Sequence, residues 1–295
     1  MKKFLVLPVC VKLLCTPAQE EKEPIVQKTE TKPTEEATSW LSRYDLSEKK
    51  PVNFKLPGRL SEASGLAISE DGRVFCHDDE RGVVYQLDYG TGIIAKEFSV
   101  GAFTISGDFE GIAVKKDTMF LVVSDGKIAR FREGNSDDHV SYQIYDTGLT
   151  SSYDVEGLEY DQETDCLLLA CKGYAGKGLK DYKAVYSFSL KTKTLLEEPR
   201  FLISLKELKE RFGKRKFNPS GLAKHPASGT FFIIAADGES IIEVDSKGNL
   251  LAQQEIPNKV NRHPEGITFT PDLTMIICND GQGGTGMLTL YPLQK

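Results

Sequence analysis

Short apolar runs recur along this chain, separated by turns that contain Gly and Asp. One pattern returns five times. It reads Glu62-Ala-Ser-Gly65-Leu-Ala, Asp108-Phe-Glu-Gly111-Ile-Ala, Asp154-Val-Glu-Gly157-Leu-Glu, Asn218-Pro-Ser-Gly221-Leu-Ala and His263-Pro-Glu-Gly266-Ile-Thr. The glycines lie 46, 46, 64 and 45 residues apart. Each opens a short strand, as in Gly111–Val114. A second run follows: Val74–Cys76, Met119–Val123, Leu167–Cys171, Phe231–Ala235 and Met275–Cys278. In four repeats that run ends in an acidic turn, at Asp78-Asp79-Glu80, Asp125-Gly126, Asp237-Gly238 and Asp280-Gly281. A third, alternating run comes next, as in Val83–Leu87, Ala184–Phe188 and Ile241–Val244. Short strands at even spacing signal an all-β fold, and a period near 45 residues suits a four-stranded propeller blade. The fold class predicted is therefore a five-bladed β-propeller, with six blades as the alternative.

The fifth repeat has room for three strands between Gly266 and Lys295, ending at Met287–Tyr291. Val52–Pro57 precedes the first glycine much as Glu255–Pro257 precedes the last, so it is expected to supply the missing outer strand and close the ring. Closure removes exposed sheet edges. The long interval carries a loop at Lys172–Lys183 and a stretch at Ser204–Lys216, in which Leu205, Leu208 and Phe212 recur at helical spacing. That stretch predicts one short amphipathic helix with a solvated basic face, and the excess is too small for a sixth blade.

The N-terminus reads differently. Lys2 and Lys3 precede a short apolar stretch, Phe4–Leu14, which is too short to span a bilayer and suits a signal peptide. Cys15 stands where a bacterial lipoprotein carries its lipidated cysteine, and a polar segment follows that cannot bury enough apolar surface to fold. The expected organisation is residues 1–15 as a signal with a lipidation cysteine, 16–50 as a disordered tether and 51–295 as the propeller. An exported protein of the cell envelope, touching membrane only through an N-terminal lipid, is implied. The net charge of −6 gives no general affinity for nucleic acid. A closed ring without long apolar heptads is expected to be a monomer. Cys76, Val123, Cys171, Ala235 and Cys278 end the second runs at one equivalent position that calls for a small apolar residue. Cys76, Cys166, Cys171 and Cys278 are accordingly expected to be buried free thiols.

Chemistry concentrates at the strand entries. Entry to the first strand and the turn after the second lie at the same end of a blade, so Glu110, Glu156 and Glu265 share a face with Asp79, Asp125, Asp237 and Asp280. Turn chemistry accounts for Asp-Gly but not for the glutamates. Residues two apart on a strand share a side, which pairs Glu110 with Asp108, Glu156 with Asp154 and Ser64 with Glu62. Carboxylates so gathered repel and raise one another's pKa, and a cation relieves this. Oxygen-only ligation suits calcium, whereas zinc favours His or Cys. The candidate metal set is Glu110, Glu156 and Glu265 as nearest ligands, with Glu62, Asp108 and Asp154 in support. His263 stands at one entry as a base or ligand, and no Gly-x-Ser-x-Gly elbow is present.

The motifs EASGLA, DFEGIA, DVEGLEYD and NPSGLAKHP, with HDDERGVVYQLD after the second run, resemble the SdiA-regulated propeller family of bacteria over residues 52–292. The resemblance implies a periplasmic or surface propeller with bound calcium. It implies a more distant similarity to calcium-dependent sugar lactonases, whose blade-opening Glu binds metal. Two functions follow as expectations: a calcium-stabilised module binding a small molecule or protein at the acidic face, and a metal-dependent lactonase or esterase acting there.

Overall fold

The computed structural model describes residues 39–47, 51–214 and 216–294. The expectations for a signal, a lipidated Cys15 and most of the tether fall outside the described residues.

Five antiparallel sheets follow one another in chain order, which is the five-bladed propeller and not the six-bladed alternative. The innermost strands are Ala63–Ile68, Phe109–Lys115, Val155–Asp161, Gly221–Lys224 and Pro264–Phe269. Each touches the next, and the last touches the first. The fifth sheet is completed by Val52–Lys55, antiparallel to Met287–Tyr291, with Val52 opposite Leu290 and Lys55 opposite Met287. The first blade gains a short parallel addition, His139–Val140 against Ser99–Val100. In the third blade the strand Tyr182–Ser189 carries two outer partners, Thr194–Leu195 and Phe201–Ser204. The helix expected in the long insertion spans Leu205–Phe212. Ser204 caps its start by accepting from the Glu207 N–H at 3.1 Å, and Gly213 ends it in the left-handed region at φ 71°.

Second strands are apolar on both faces because each sheet is packed between two others. Phe231–Ala235 and Cys166–Cys171 are buried throughout. The core is a set of layers between adjacent blades; one holds Leu168, Ala170 and Val185 of the third blade against Leu222, Phe231 and Ile233 of the fourth. Close approach at the axis is what the repeated glycine permits. A Cβ at Gly266 would lie 2.6 Å from the Leu66 N and 2.6 Å from Cys278 Sγ. At Gly111 it would lie 2.9 Å from the Leu158 N.

Two readings of the sequence are corrected. Residues 39–47, assigned to the tether, pack onto the fourth and fifth blades, with Leu41, Tyr44 and Leu46 buried. Ser39 Oγ and the Leu41 N–H donate to Glu243 Oε2 at 2.6 and 2.9 Å, and Tyr44 bridges to Leu293. The second correction concerns the cysteines. All four are buried free thiols, but the ends of the second strands are not equivalent. Cys76 pairs with Leu66, Cys171 with Val155 and Cys278 with Gly266. A one-residue offset turns a side chain to the other face. Cys278 therefore meets Cys76 across the interface of the fifth and first blades, where the sequence alignment had set them apart.

Gly266→Ala is expected to destabilise the protein by about 1–3 kcal/mol, because its methyl meets fixed backbone of the neighbouring strand. Urea unfolding of the variant against the wild type checks this, and an unchanged midpoint removes the close-approach argument.

Candidate functional site

The strand entries are built from one repeated irregularity. In the first, second, third and fifth blades the pairing register slips at the residue before the glycine, between Ala63 and Gly65, Phe109 and Gly111, Val155 and Gly157, and Pro264 and Gly266. Ser64, Glu110, Glu156 and Glu265 are the extra residues. A bulge leaves its extra residue unpaired and re-aims its side chain, and here those side chains line one chamber at the axis. The fourth blade contributes Ser220 instead, whose hydroxyl donates to the Pro264 carbonyl at 2.6 Å.

The same registers define a second ring. The residue after the one opposite the bulge is Asp79, Ser124, Lys172 and Asp280 in the first, second, third and fifth blades. The chamber, about 180 Å³, is lined by Glu62, Ser64, Asp79, Glu110, Glu156, Lys172, His263, Glu265 and Asp280. Below it the axis narrows to a collar of Gly65, Gly111, Gly157, Gly221 and Gly266 with space of only about 10 Å³.

The structure thus places Glu110, Glu156, Glu265 and Glu62 of the sequence-derived set around one space. It leaves out Asp108 and Asp154. Asp108 is exposed and accepts from Ser124 Oγ at 2.5 Å. Asp154 sits in the left-handed region at φ 54° outside the chamber wall. The two-residue rule that paired them with the glutamates fails because the bulge interrupts the alternation between them. Of the acidic turns, Asp79 and Asp280 reach the chamber. Asp125 pairs with Lys127, and Asp237 pairs with Lys216 at 2.9 Å and Asn218 at 3.1 Å. Among the described residues, the trio whose carboxylate oxygens lie within 4.8 Å of one another is Glu62, Asp78 and Asp79. Sequence reasoning named Asp79 as a rim residue but missed Asp78 and Lys172; the only available signal for Lys172 was its place in the third blade where other repeats end acidic.

Electrostatics sort these groups. Burial, then the charges of Glu156, Asp108 and Glu265, push the Glu110 carboxyl well above the usual range. Burial raises Glu156 too, opposed by the Lys172 ammonium, whose Nζ donates to Glu156 Oε1 at 2.8 Å. Burial raises Glu265, opposed by His263, whose Nδ1 lies 2.5 Å from Glu265 Oε1. That contact holds His263 more basic than usual. Asp79 is pushed up to about 6 by burial and by Glu62, Asp78 and Asp280. Glu265 Oε2 and Asp79 Oδ1 are buried without a hydrogen-bond partner. Buried anionic oxygens are costly unless paired or bound to a cation. Six lining carboxyls face one ammonium and one imidazole.

No family model matches the chain, and no curated protein does. Among solved structures, a luciferin-regenerating enzyme superposes with TM-score 0.53 and 11% identity, covering 82% of this chain and 95% of that one. A glutaminyl cyclase from Myxococcus xanthus superposes with TM-score 0.52 and 11% identity, covering 83% of this chain and 96% of that one. At this identity the likeness shows the β-propeller fold alone.

Two outcomes follow. Asp79, Glu110, Glu156 and Glu265 keep their protons to higher pH folded than unfolded, so the folded chain binds more protons above the ordinary carboxylate range. Stability then falls as pH rises through that window. The raised His263 acts in the same direction. Buried His77 and His225, held down to about 4, act in the opposite direction below about pH 6.5. In the absence of divalent metal, the urea midpoint is therefore expected to drop between about pH 6.5 and about pH 8, with a shallower slope in Glu110→Gln. A flat or rising profile contradicts the assignment. Separately, Lys172→Met removes the tethered cation, so the chamber should bind divalent cations more tightly in that variant. Calorimetric titration with calcium measures this, and weaker binding in Lys172→Met counts against it.

Proposed function

We propose that this chain is a calcium-binding β-propeller module of the bacterial cell envelope, exported and held by a lipid on Cys15. It presents its acidic channel mouth to a small molecule or protein and acts as a monomer. The observation that carries the metal reading is the chamber itself. Carboxyls from three blades converge with Glu62, Asp79 and Asp280, and two of their oxygens are buried and unpartnered. The donor set is almost wholly oxygen, which suits calcium over zinc. Glu62, Asp78 and Asp79 would hold the ion directly, with Glu110, Glu156 and Glu265 facing it from the chamber wall, directly or through water. Asp78 Oδ1 already accepts from the Glu80 and Arg81 N–H groups, which leaves its other oxygen for the metal. Asp108 and Asp154 act from outside through their charge. The motif resemblance to the SdiA-regulated family supports the same reading.

One observation favours a second reading, a metal-dependent lactonase or esterase. His263 lines the chamber beside Glu265 and supplies a base within reach of metal-bound substrate. The binding module is the better-supported function, since His263 is engaged by Glu265 and the Ser64 hydroxyl in the same chamber donates to Glu110 Oε2 at 3.4 Å.

Calcium is expected to raise the melting temperature of the wild type, and chelator to reverse the rise. In Glu110→Gln combined with Glu156→Gln the calcium effect should be reduced by at least half. Absence of a calcium effect in the wild type removes the metal from the function. Calcium-dependent turnover of any member of a lactone and ester panel selects the hydrolase instead.

A further inference from the structure

The opposite mouth of the channel holds a second, larger space. Beyond the glycine collar, the exits of the inner strands open into a cavity of about 820 Å³. That size suits a small organic ligand. The first two blades supply an apolar floor, Ala67, Ile68, Ala113 and Val114, together with the polar Ser69 and Glu70. Its other wall comes from the third and fourth blades and is charged, with Glu159, Glu163 and Lys224.

The charges on that wall do not balance. Lys224 is the only lysine or arginine among the lining residues, and its ammonium is already taken, 2.7 Å from Asp161 Oδ1 and 3.1 Å from Glu163 Oε2. Asp161 is further satisfied by Thr164 Oγ1 at 2.7 Å. His225 offers no cation either. It is fully buried, with Trp40 and Phe232 against its ring. Tyr44 Oη donates to the Leu273 carbonyl at 2.9 Å, so it accepts from His225 Nε2 at 3.0 Å. Nδ1 in turn accepts from the Ser228 N–H at 3.2 Å. Glu159 accepts from the Lys224 backbone amide and feels the Lys224 ammonium only through its charge, since the Lys224 ion pairs go to Asp161 and Glu163. Burial accordingly raises its carboxyl to about 8. A carboxyl in this setting is stabilised by a cation brought from outside.

We propose that this cavity binds a small organic ammonium ion with an apolar body, its charge against Glu159 and its body on the floor of Ala67, Ile68, Ala113 and Val114. An anionic ligand would meet Glu159 and Glu163 without a free cation. A strongly hydrated inorganic cation would leave the apolar floor uncovered. This site is separate from the acidic chamber and does not depend on calcium there.

The test is calorimetric titration of the full chain, in chelator, with phenethylammonium, and with 2-phenylethanol and phenylacetate as neutral and anionic counterparts. Phenethylammonium should bind the wild type, and Glu159→Gln should weaken it by at least about tenfold. Val114→Trp, which fills the floor without touching the carboxyl, should weaken it comparably. Unfolding curves establish that both variants are folded. The proposal is overturned by failure of phenethylammonium to bind at about 10 mM, by equal binding of 2-phenylethanol, or by unchanged affinity in folded Glu159→Gln. Binding abolished by Glu110→Gln instead would place the ligand in the other mouth and equally overturn it.

Discussion

The closeness of five inner strands around one axis governs the rest of this molecule. Without a Cβ, each repeated glycine lets its strand run against the next, and the 2.6 Å that a methyl at Gly266 would find to Leu66 N measures how little room remains. Strands this close cannot all continue in regular pairing to their ends. In four of the five blades the register slips just before the glycine, and the displaced residue is driven toward the axis. Packing at the collar and the chemistry above it are therefore one feature. The glutamates are held where they are by backbone that the glycines permit.

That arrangement sets like charges together in a partly water-excluded space. The protein relieves the conflict only in part, through Lys172 on Glu156 and His263 on Glu265. Both cations are supplied by loops or entries and not by the strands that carry the carboxylates. The unresolved remainder falls on Glu110, Asp79 and the second oxygen of Glu265. Lys172 occupies a ring position where two other blades place aspartate, so a single residue decides how far the chamber is neutralised from within.

Much of the fold was legible because a propeller writes its period into the chain. Glycines at near-constant spacing, the deficit of one strand after Gly266 and the surplus at Val52–Pro57 gave blade number and closure directly. The site was legible only in outline. Glu110, Glu156, Glu265 and Glu62 came from the repeat, but strand alternation misplaced Asp108 and Asp154, since a bulge leaves no mark in hydrophobic pattern. The same blindness to register set Cys76 and Cys278 at equivalent positions. Residues 39–47 carry none of the repeat's strand or turn signals, yet Leu41, Tyr44 and Leu46 bury themselves on blades far along the chain, a contact that no local pattern encodes.

The strand Val52–Lys55 has a consequence for how the chain reaches this structure. Its partner, Met287–Tyr291, is the last strand of the ring in chain order. Four blades can form from local hairpins, but the ring stays open until these two strands pair. Until then the first blade and the apolar segment before it face solvent without a neighbour. Contacts of such sequence separation form slowly, and unpaired strand edges invite association. The unclosed molecule stays extendable, and pairing of its two most distant strands seals the final shape.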